Sequence, residues 1–90
     1  MKAIWKFPLK TVEAQSVEMP LDAKILSVQS QFEEPMMWCL VEPDKPKAFR
    51  EIRIIGTGHP VEDDFTGIYV GTYQVYGGSG VFHLFDYGYE

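Results

Sequence analysis

Cysteines and long apolar runs are scarce in this chain of 90 residues, and each scarcity excludes a class of protein. Cys39 is the only cysteine, so neither an internal disulfide nor a zinc site built from cysteines can form. No stretch approaches the roughly 20 apolar residues that a transmembrane helix requires. Residues 1–8 lack the apolar segment of a signal peptide, because Lys6 and Pro8 interrupt it. We therefore expect a cytoplasmic protein that does not enter the membrane.

Basic residues are also unevenly distributed along the chain. The net charge is −5, and no lysine or arginine follows Arg53, although five acidic residues and eight of the thirteen aromatic residues do. The only local basic cluster lies between Lys45 and Arg53. Binding to a nucleic-acid backbone requires a continuous basic track. We therefore do not expect this chain to bind DNA or RNA directly, and we expect other partners.

The pattern that the chain does show is alternation with a period of two. Hydrophobic residues make up 46% of the sequence, which is enough for a core, and 90 residues make one domain, residues 1–90. Apolar and polar residues alternate in several short segments, and helical periodicity is scarce. Six or seven such segments are separated by turn signals about every 8–12 residues. This spacing predicts an all-β, mostly antiparallel fold, a small β-sandwich or barrel.

Three of these segments carry specific expectations. Residues 36–42 are apolar on both faces, which is typical of a central strand. In residues 24–31 we expect Leu26 and Val28 to point inward. In residues 68–76 we expect Tyr69 and Tyr73 on one face, with Gly71 marking a bulge or a close approach of another backbone. Residues 32–35 and 77–80 are predicted hairpin loops.

The candidates for catalysis or metal binding are few. Cys39 lies in an apolar segment and is predicted to be a small buried hydrophobe rather than a nucleophile paired with a histidine. His59 is close in sequence to Glu62, Asp63 and Asp64, but a polar loop lacks the support that metal ligands need. His83 lies between two apolar residues and is predicted to be a core or interface residue. We assign no catalytic residue, no metal and no cofactor.

Two glycine-rich segments, residues 56–58 and 77–80, invite comparison with phosphate-binding loops. Neither has the spacing of such a loop, no lysine follows either of them, and no helix is predicted to begin after them. Backbone N–H groups of a turn can still hold an anion. We interpret both segments as turns.

The aromatic residues are the stronger indication of function. A domain of this size cannot bury all thirteen, and tyrosines are favoured at interfaces because they combine a large apolar area with a polar tip. An ordinary edge strand with exposed tyrosines remains the simpler alternative. The predicted interface residues are Tyr69, Phe82, Phe85, Tyr87 and Tyr89.

An ordered set of motifs runs through the chain: Ile4 to Leu9, Val17 to Pro20, Ala23 to Gln29, Trp38, Ile55 to His59, Gly71-Thr72 and Phe82 to Phe85. Together these segments resemble a family of small proteins encoded by bacteriophages and prophages. The resemblance covers nearly the whole chain, with Asp22 in place of the glycine that the family pattern has before Ala23. It implies no catalytic residue, since the family is uncharacterised, but it implies a bacteriophage setting in which small accessory proteins counter host defence by binding.

Our first hypothesis is a non-catalytic β domain that forms a homo-oligomer and binds either a host defence protein or a cyclic nucleotide in the infected cell. An acidic, aromatic surface suits a protein partner, whereas a nucleotide needs cations or N–H groups for phosphate and an aromatic ring for the base. The alternatives are a small hydrolase or phosphodiesterase that uses His59 or His83, and a structural protein without a ligand. The candidate ligand-binding residues are Arg50, Arg53, Thr57, His59, Tyr73 and Tyr76.

Overall fold

Seven strands form two antiparallel sheets in the computed structural model, which describes residues 1–90. The strands are β1 (Ala3–Pro8), β2 (Ala14–Pro20), β3 (Lys24–Gln31), β4 (Glu34–Val41), β5 (Lys47–Gly56), β6 (Ile68–Val75) and β7 (Gly80–Tyr89). The three-stranded sheet has the order β1-β4-β3, and the four-stranded sheet has the order β2-β5-β7-β6. The predicted all-β, antiparallel fold is confirmed.

The core lies between the two sheets because each strand turns one face of alternating side chains inward. The only helical segment is one 3₁₀ turn (Tyr76–Gly78), and no helix is long and apolar enough to cross a membrane. The twelve buried core residues are Leu9, Met19, Ala23, Val28, Met37, Cys39, Val41, Ile52, Ile54, Tyr73, Val75 and Leu84.

Strand β4 is the middle strand of its sheet, as its sequence predicts. Met37, Cys39 and Val41 point inward and are almost completely buried. Met36, Trp38 and Leu40 alternate with them on the outer face and are partly exposed. The outer face of β4 is therefore also apolar, and Lys6 of β1, opposite Trp38, donates a hydrogen bond to Gln31 of β3 across it.

Both predicted hairpin turns are present. Phe32 and Glu33 join β3 to β4 with φ angles of +53° and +66°. Two consecutive positive φ values are the signature of a two-residue type I′ turn, which matches the twist of the strands that it joins. Gly77 and Gly78, with φ of +64° and +96°, serve the turn between β6 and β7.

Gly71 fulfils both roles that the sequence suggests for it. The register of β6 against β7 shifts between Tyr69 and Gly71, so Val70 is the extra residue of a β-bulge. A Cβ on residue 71 would lie 3.0 Å from Cγ1 of Val28. The missing side chain therefore lets β6 approach β3, and this contact closes one side of the sandwich.

Bulges also correct two predictions about side-chain direction. Because the bulge at Val70 shifts the alternation by one residue, Tyr69 is 58% exposed while Tyr73 is buried, so these two tyrosines do not share a face. A second register shift, between Ile25 and Ser27, leaves Leu26 43% exposed, although Val28 is buried as predicted. Strict alternation fails wherever one strand has an extra residue.

Candidate functional site

A groove lies at the end of β5, where this strand extends beyond its neighbour β2. Strand β2 begins at Ala14, opposite Arg53, whereas β5 continues to Gly56. The groove consists of two adjoining depressions, of about 320 Å³ and about 450 Å³, which share Glu13, Ile55 and Pro60. The first is also lined by Thr11, Val12, Ile54, Gly56, His59 and Phe82, and the second by Arg53, Val61, Glu62, Phe65 and Tyr87. We call the whole depression the acidic groove.

A tight turn after β5 forms one end of the acidic groove. The His59 N–H donates a hydrogen bond to the Gly56 carbonyl over 3.1 Å, which closes a four-residue turn. Gly58, at its third position, has φ of +84°, the value that a type II turn requires there. The His59 ring packs against Gly56. Pro60 and the acidic loop that follows it, residues 61–67, then turn back toward the outer face of the four-stranded sheet.

Phe65 anchors that loop on the sheet. Its ring packs edge-on against Phe85 at 4.8 Å between centroids and against Tyr87 at 5.4 Å. Tyr69 extends the cluster, with its ring 5.8 Å from that of Phe85. Edge-to-face pairs at such separations are favourable beyond the area that they bury. Of the predicted interface residues, Tyr69, Phe85 and Tyr87 therefore lie together on the outer face of the four-stranded sheet.

The charge of the acidic groove is negative. Arg53 is its only lysine or arginine, and its Nε donates to Oε1 of Glu51 over 3.1 Å while its guanidinium lies 5.0 Å from the centre of the Tyr87 ring. Glu13 and Glu62 form no salt bridge within the chain. The one cation of the groove is thus already paired, and two carboxylates are not.

His83 lies on the outer face in a row of hydroxyl groups. Its Nε2 is 2.7 Å from the Thr57 hydroxyl and its Nδ1 is 2.9 Å from the Thr72 hydroxyl, which is in turn 2.7 Å from the hydroxyl of Tyr69. Neither His83 nor His59 forms a hydrogen bond with a carboxylate. No group of three or more histidine, cysteine, aspartate or glutamate side chains is arranged to hold a metal ion.

Arg50 does not face the acidic groove, because it points inward from β5. Its Nε and Nη2 donate to the two carboxylate oxygens of Asp86 over 2.9 and 2.6 Å, and its Nη1 donates to the Ala23 carbonyl over 2.8 Å. The guanidinium also lies 4.6 Å from the centre of the Tyr89 ring. The Tyr89 hydroxyl donates to the Pro20 carbonyl and accepts from the Ala23 N–H. Arg50 and Tyr89 therefore tie β5 and β7 to the segment between β2 and β3.

Charge pairing shifts the pKa values of this network. The hydrogen bond to Asp86 raises the pKa of Arg50. Burial alone would raise the pKa of Asp86, but the hydrogen bonds from Arg50 and from the Gly88 N–H outweigh it and lower that pKa below its ordinary value. Both groups therefore stay charged, and the net charge of the pair is zero.

Tyr73 and Tyr76 lie outside the acidic groove. Tyr73 is buried, its hydroxyl is 3.0 Å from that of Thr11, and its ring stacks on Phe82 at 5.7 Å. Burial raises the pKa of Tyr73. Tyr76 is 66% exposed on the turn between β6 and β7. The six predicted ligand-binding residues therefore do not form one site, and only Arg53 and His59 line the groove.

Sequence analysis missed Glu13 and Phe65 as groove residues. Glu13 comes to the end of β5 because its carbonyl accepts a hydrogen bond from the Ile54 N–H over 3.0 Å. Phe65 is an isolated apolar residue in the acidic loop, between Asp64 and Thr66. An apolar residue inside a charged loop indicates that the loop packs back on the domain. The sequence therefore contained a signal that could have identified Phe65.

Residues 1–89 match the model of a family described as "Domain of unknown function (DUF7352)". The chain belongs to this family. The match spans nearly the full length of the described residues, so both sheets and the acidic groove lie within it. No curated protein and no solved structure matches the chain.

Proposed function

We propose that this domain acts by binding, without catalysis, and that its acidic groove receives a basic segment of a partner protein. The observation that carries the proposal is the pair of carboxylates, Glu13 and Glu62, which have no cation within the chain and border an apolar, aromatic wall. A lysine or arginine side chain placed there would pair with a carboxylate while its stem and charge pack against Phe65 and Tyr87. Such partly desolvated pairs give specificity as well as affinity.

The same charges argue against sequestration of a nucleotide. Binding of phosphate relies on cations or on clustered N–H donors. Arg50 is bound to Asp86 inside the domain, Arg53 is paired with Glu51, and the carboxylates in the groove would repel phosphate. Of the two tyrosines considered for stacking on a base, Tyr73 is buried and Tyr76, although exposed, lies outside the groove. Between the two binding hypotheses, these contacts favour a protein partner.

The class of partner follows from the setting. The resemblance to small bacteriophage and prophage proteins leads us to propose that the partner is a host defence protein in the cytoplasm of the infected bacterium. A small, rigid β domain that covers a basic surface would block that protein by occupying it, which needs no turnover. The proposal thus requires a stable complex and no chemical product.

The test is a comparison of tagged variants as bait in bacterial lysate. In the variant Glu13→Lys/Glu62→Lys, proteins retained by the wild type should be reduced at least about tenfold, the equivalent of ~1.4 kcal/mol. The matched control is Glu18→Lys/Asp44→Lys, which makes the same change in net charge at exposed positions outside the groove. Retention should also fall at high salt, because exposed charges are screened.

The outcome that contradicts the proposal is equally specific. Equal loss of the retained proteins in both double variants would mean that overall charge, not the groove, causes retention. Titration of the wild type with a cyclic dinucleotide in a calorimeter should give no heat of binding. Binding that disappears in Arg53→Ala would instead establish the nucleotide hypothesis.

A further inference from the structure

A third depression, of about 600 Å³, adjoins the acidic groove. It shares Thr11 and Val12 with the first depression of that groove, and Glu13, the next residue, joins the first depression to the second. Tyr76, which lies outside the acidic groove, lines the third depression. The three depressions therefore follow one another along the segment between β1 and β2. We call the whole track the extended groove.

The extended groove passes from one sheet to the other. Its third depression is lined by Pro8 at the end of β1 and Pro35 near the start of β4, both in the three-stranded sheet. Its second depression is lined by Arg53 of β5 and Tyr87 of β7, both in the four-stranded sheet. Packed sheets are about 10 Å apart, so the track bends as it crosses between them. A straight helix about 10 Å thick does not follow such a bend, whereas an extended chain with two soft dihedral angles per residue does.

Two aromatic residues, Phe82 and Tyr76, link the first depression to the third. Phe82 lines the first depression and Tyr76 the third, and both rings approach Gly80. A Cβ on residue 80 would lie 2.7 Å from Cδ2 of Tyr76 and 3.0 Å from Cε2 of Phe82, so the missing side chain makes room for both rings. The Gly77 N–H donates to Oε1 of Glu33 over 2.8 Å, which ties the turn that carries Tyr76 to the neighbouring hairpin. Tyr76 is therefore an exposed aromatic residue on a fixed turn.

The charge of the extended groove changes along its length. The acidic groove contains Glu13 and Glu62, which form no salt bridge within the chain. The third depression contains one charged residue of each sign, Lys10 and Glu34, so its net charge is zero. Its exposed ring is that of Tyr76. A ligand that is basic at one end and apolar at the other therefore complements the whole track.

We infer that the extended groove binds a linear segment of the partner protein in an extended conformation, an inference that rests on the proposed function. A lysine or arginine of that segment pairs with Glu13 or Glu62, and an apolar side chain of the same segment packs on Tyr76. Tyr87 of the second depression and Gly80 beside Tyr76 are separated along β7 by about 23 Å at ~3.3 Å per residue. An extended chain advances by a similar distance per residue, so the two anchoring side chains are about five to seven positions apart.

The test presents a library of random peptides, each about twelve residues long, to the immobilised full chain. Enriched peptides should carry a lysine or arginine and, about five to seven positions away, a large apolar residue. One enriched peptide is then synthesised, and its affinity is measured by fluorescence anisotropy. Tyr76→Asn should weaken binding at least about fivefold, because the aromatic anchor is lost. Asparagine tolerates the φ of +56° at this position, so the turn is kept. Glu13→Lys/Glu62→Lys should abolish binding.

The matched control is Phe32→Asn. Phe32 is likewise an exposed aromatic residue on a hairpin turn, with φ of +53°, but it lines none of the three depressions. Its substitution should change the affinity by no more than about twofold. A second peptide, with alanine in place of the apolar residue, completes a double-mutant cycle. It should bind the wild type about as weakly as the first peptide binds Tyr76→Asn, and Tyr76→Asn should not weaken it further. Circular dichroism confirms that each variant is folded.

The outcomes separate this inference from the proposed function. Basic peptides that lack the apolar residue, or equal affinities in Tyr76→Asn and Phe32→Asn, overturn the inference and leave the proposed function intact. Binding that survives Glu13→Lys/Glu62→Lys refutes both. A library without any enriched peptide also overturns the inference, because a groove for an extended segment binds that segment outside its protein. The comparison in lysate then tests on its own whether the acidic groove binds a folded basic surface.

Discussion

The ion pair between Arg50 and Asp86 is the interaction whose removal should damage the fold most. The two side chains are only 12% and 13% exposed, and they form a bidentate pair. Asp86→Asn keeps the shape of the side chain but leaves the guanidinium without its counter-charge. Breaking a buried pair from one side costs about 3–5 kcal/mol, because an uncompensated charge stays buried. We expect the low end, about 3 kcal/mol, since the Ala23 carbonyl and the Tyr89 ring still contact Arg50.

The assay is unfolding in urea and, separately, on heating, each followed by tryptophan fluorescence near neutral pH. For a domain of this size, a loss of ~3 kcal/mol corresponds to a fall of about 12–24 °C in the thermal midpoint. The matched control is Asp22→Asn. Asp22 is bound by Lys45 over 2.8 Å, but their side chains are 73% and 40% exposed, and solvent screens such pairs. The control should therefore cost far less than Asp86→Asn, although the substitution is the same.

The pH dependence provides a second readout. The pKa of Asp86 is lower in the folded than in the unfolded protein, so the folded state binds fewer protons in the interval between the two values. The stabilisation is fully present above the unfolded pKa of about 3.9 and is lost as the pH falls through the folded pKa. The acid limb of the stability curve, which is the fall in the free energy of unfolding as the pH decreases, should therefore be flatter in Asp86→Asn. Equal stability of Asp86→Asn and Asp22→Asn, or an unchanged acid limb, would refute the reasoning.

Two further predictions concern Cys39 in the core and Gly71 in β6. Cys39 is fully buried and its pKa is raised to about 12, mainly by burial, so iodoacetamide should fail to modify the native protein but should modify it in urea; rapid native labelling, read by mass spectrometry, would contradict this. Gly71→Ala should destabilise the domain by about 1–3 kcal/mol, because the new Cβ would press on Val28 at 3.0 Å; a thermal midpoint equal to that of the wild type would show that β6 and β3 yield easily.

How far the sequence predicts this fold depends on where alternation is regular. In β5 the period of two is regular, and the inward positions of Ile52 and Ile54 follow directly from it. In β4 both faces are apolar, so the sequence predicts a central strand but not that Met37 and Cys39, rather than Trp38, face the core. In β6 the extra residue Val70 reverses every later side chain. A bulge depends on how β6 fits β7 and β3, and these contacts are distant in sequence, so a local pattern does not reveal them.

The candidate site was less predictable than the fold because its residues come from separate segments. Arg50 and Arg53 lie on one strand three positions apart, so they point to opposite faces, one into the ion pair with Asp86 and the other toward the acidic groove. Strand period alone separates these two arginines. The strand period does not predict that Glu13 and Glu62 line the same groove. That arrangement depends on the pairing of β2 with β5 and on the packing of the acidic loop against the sheet through Phe65.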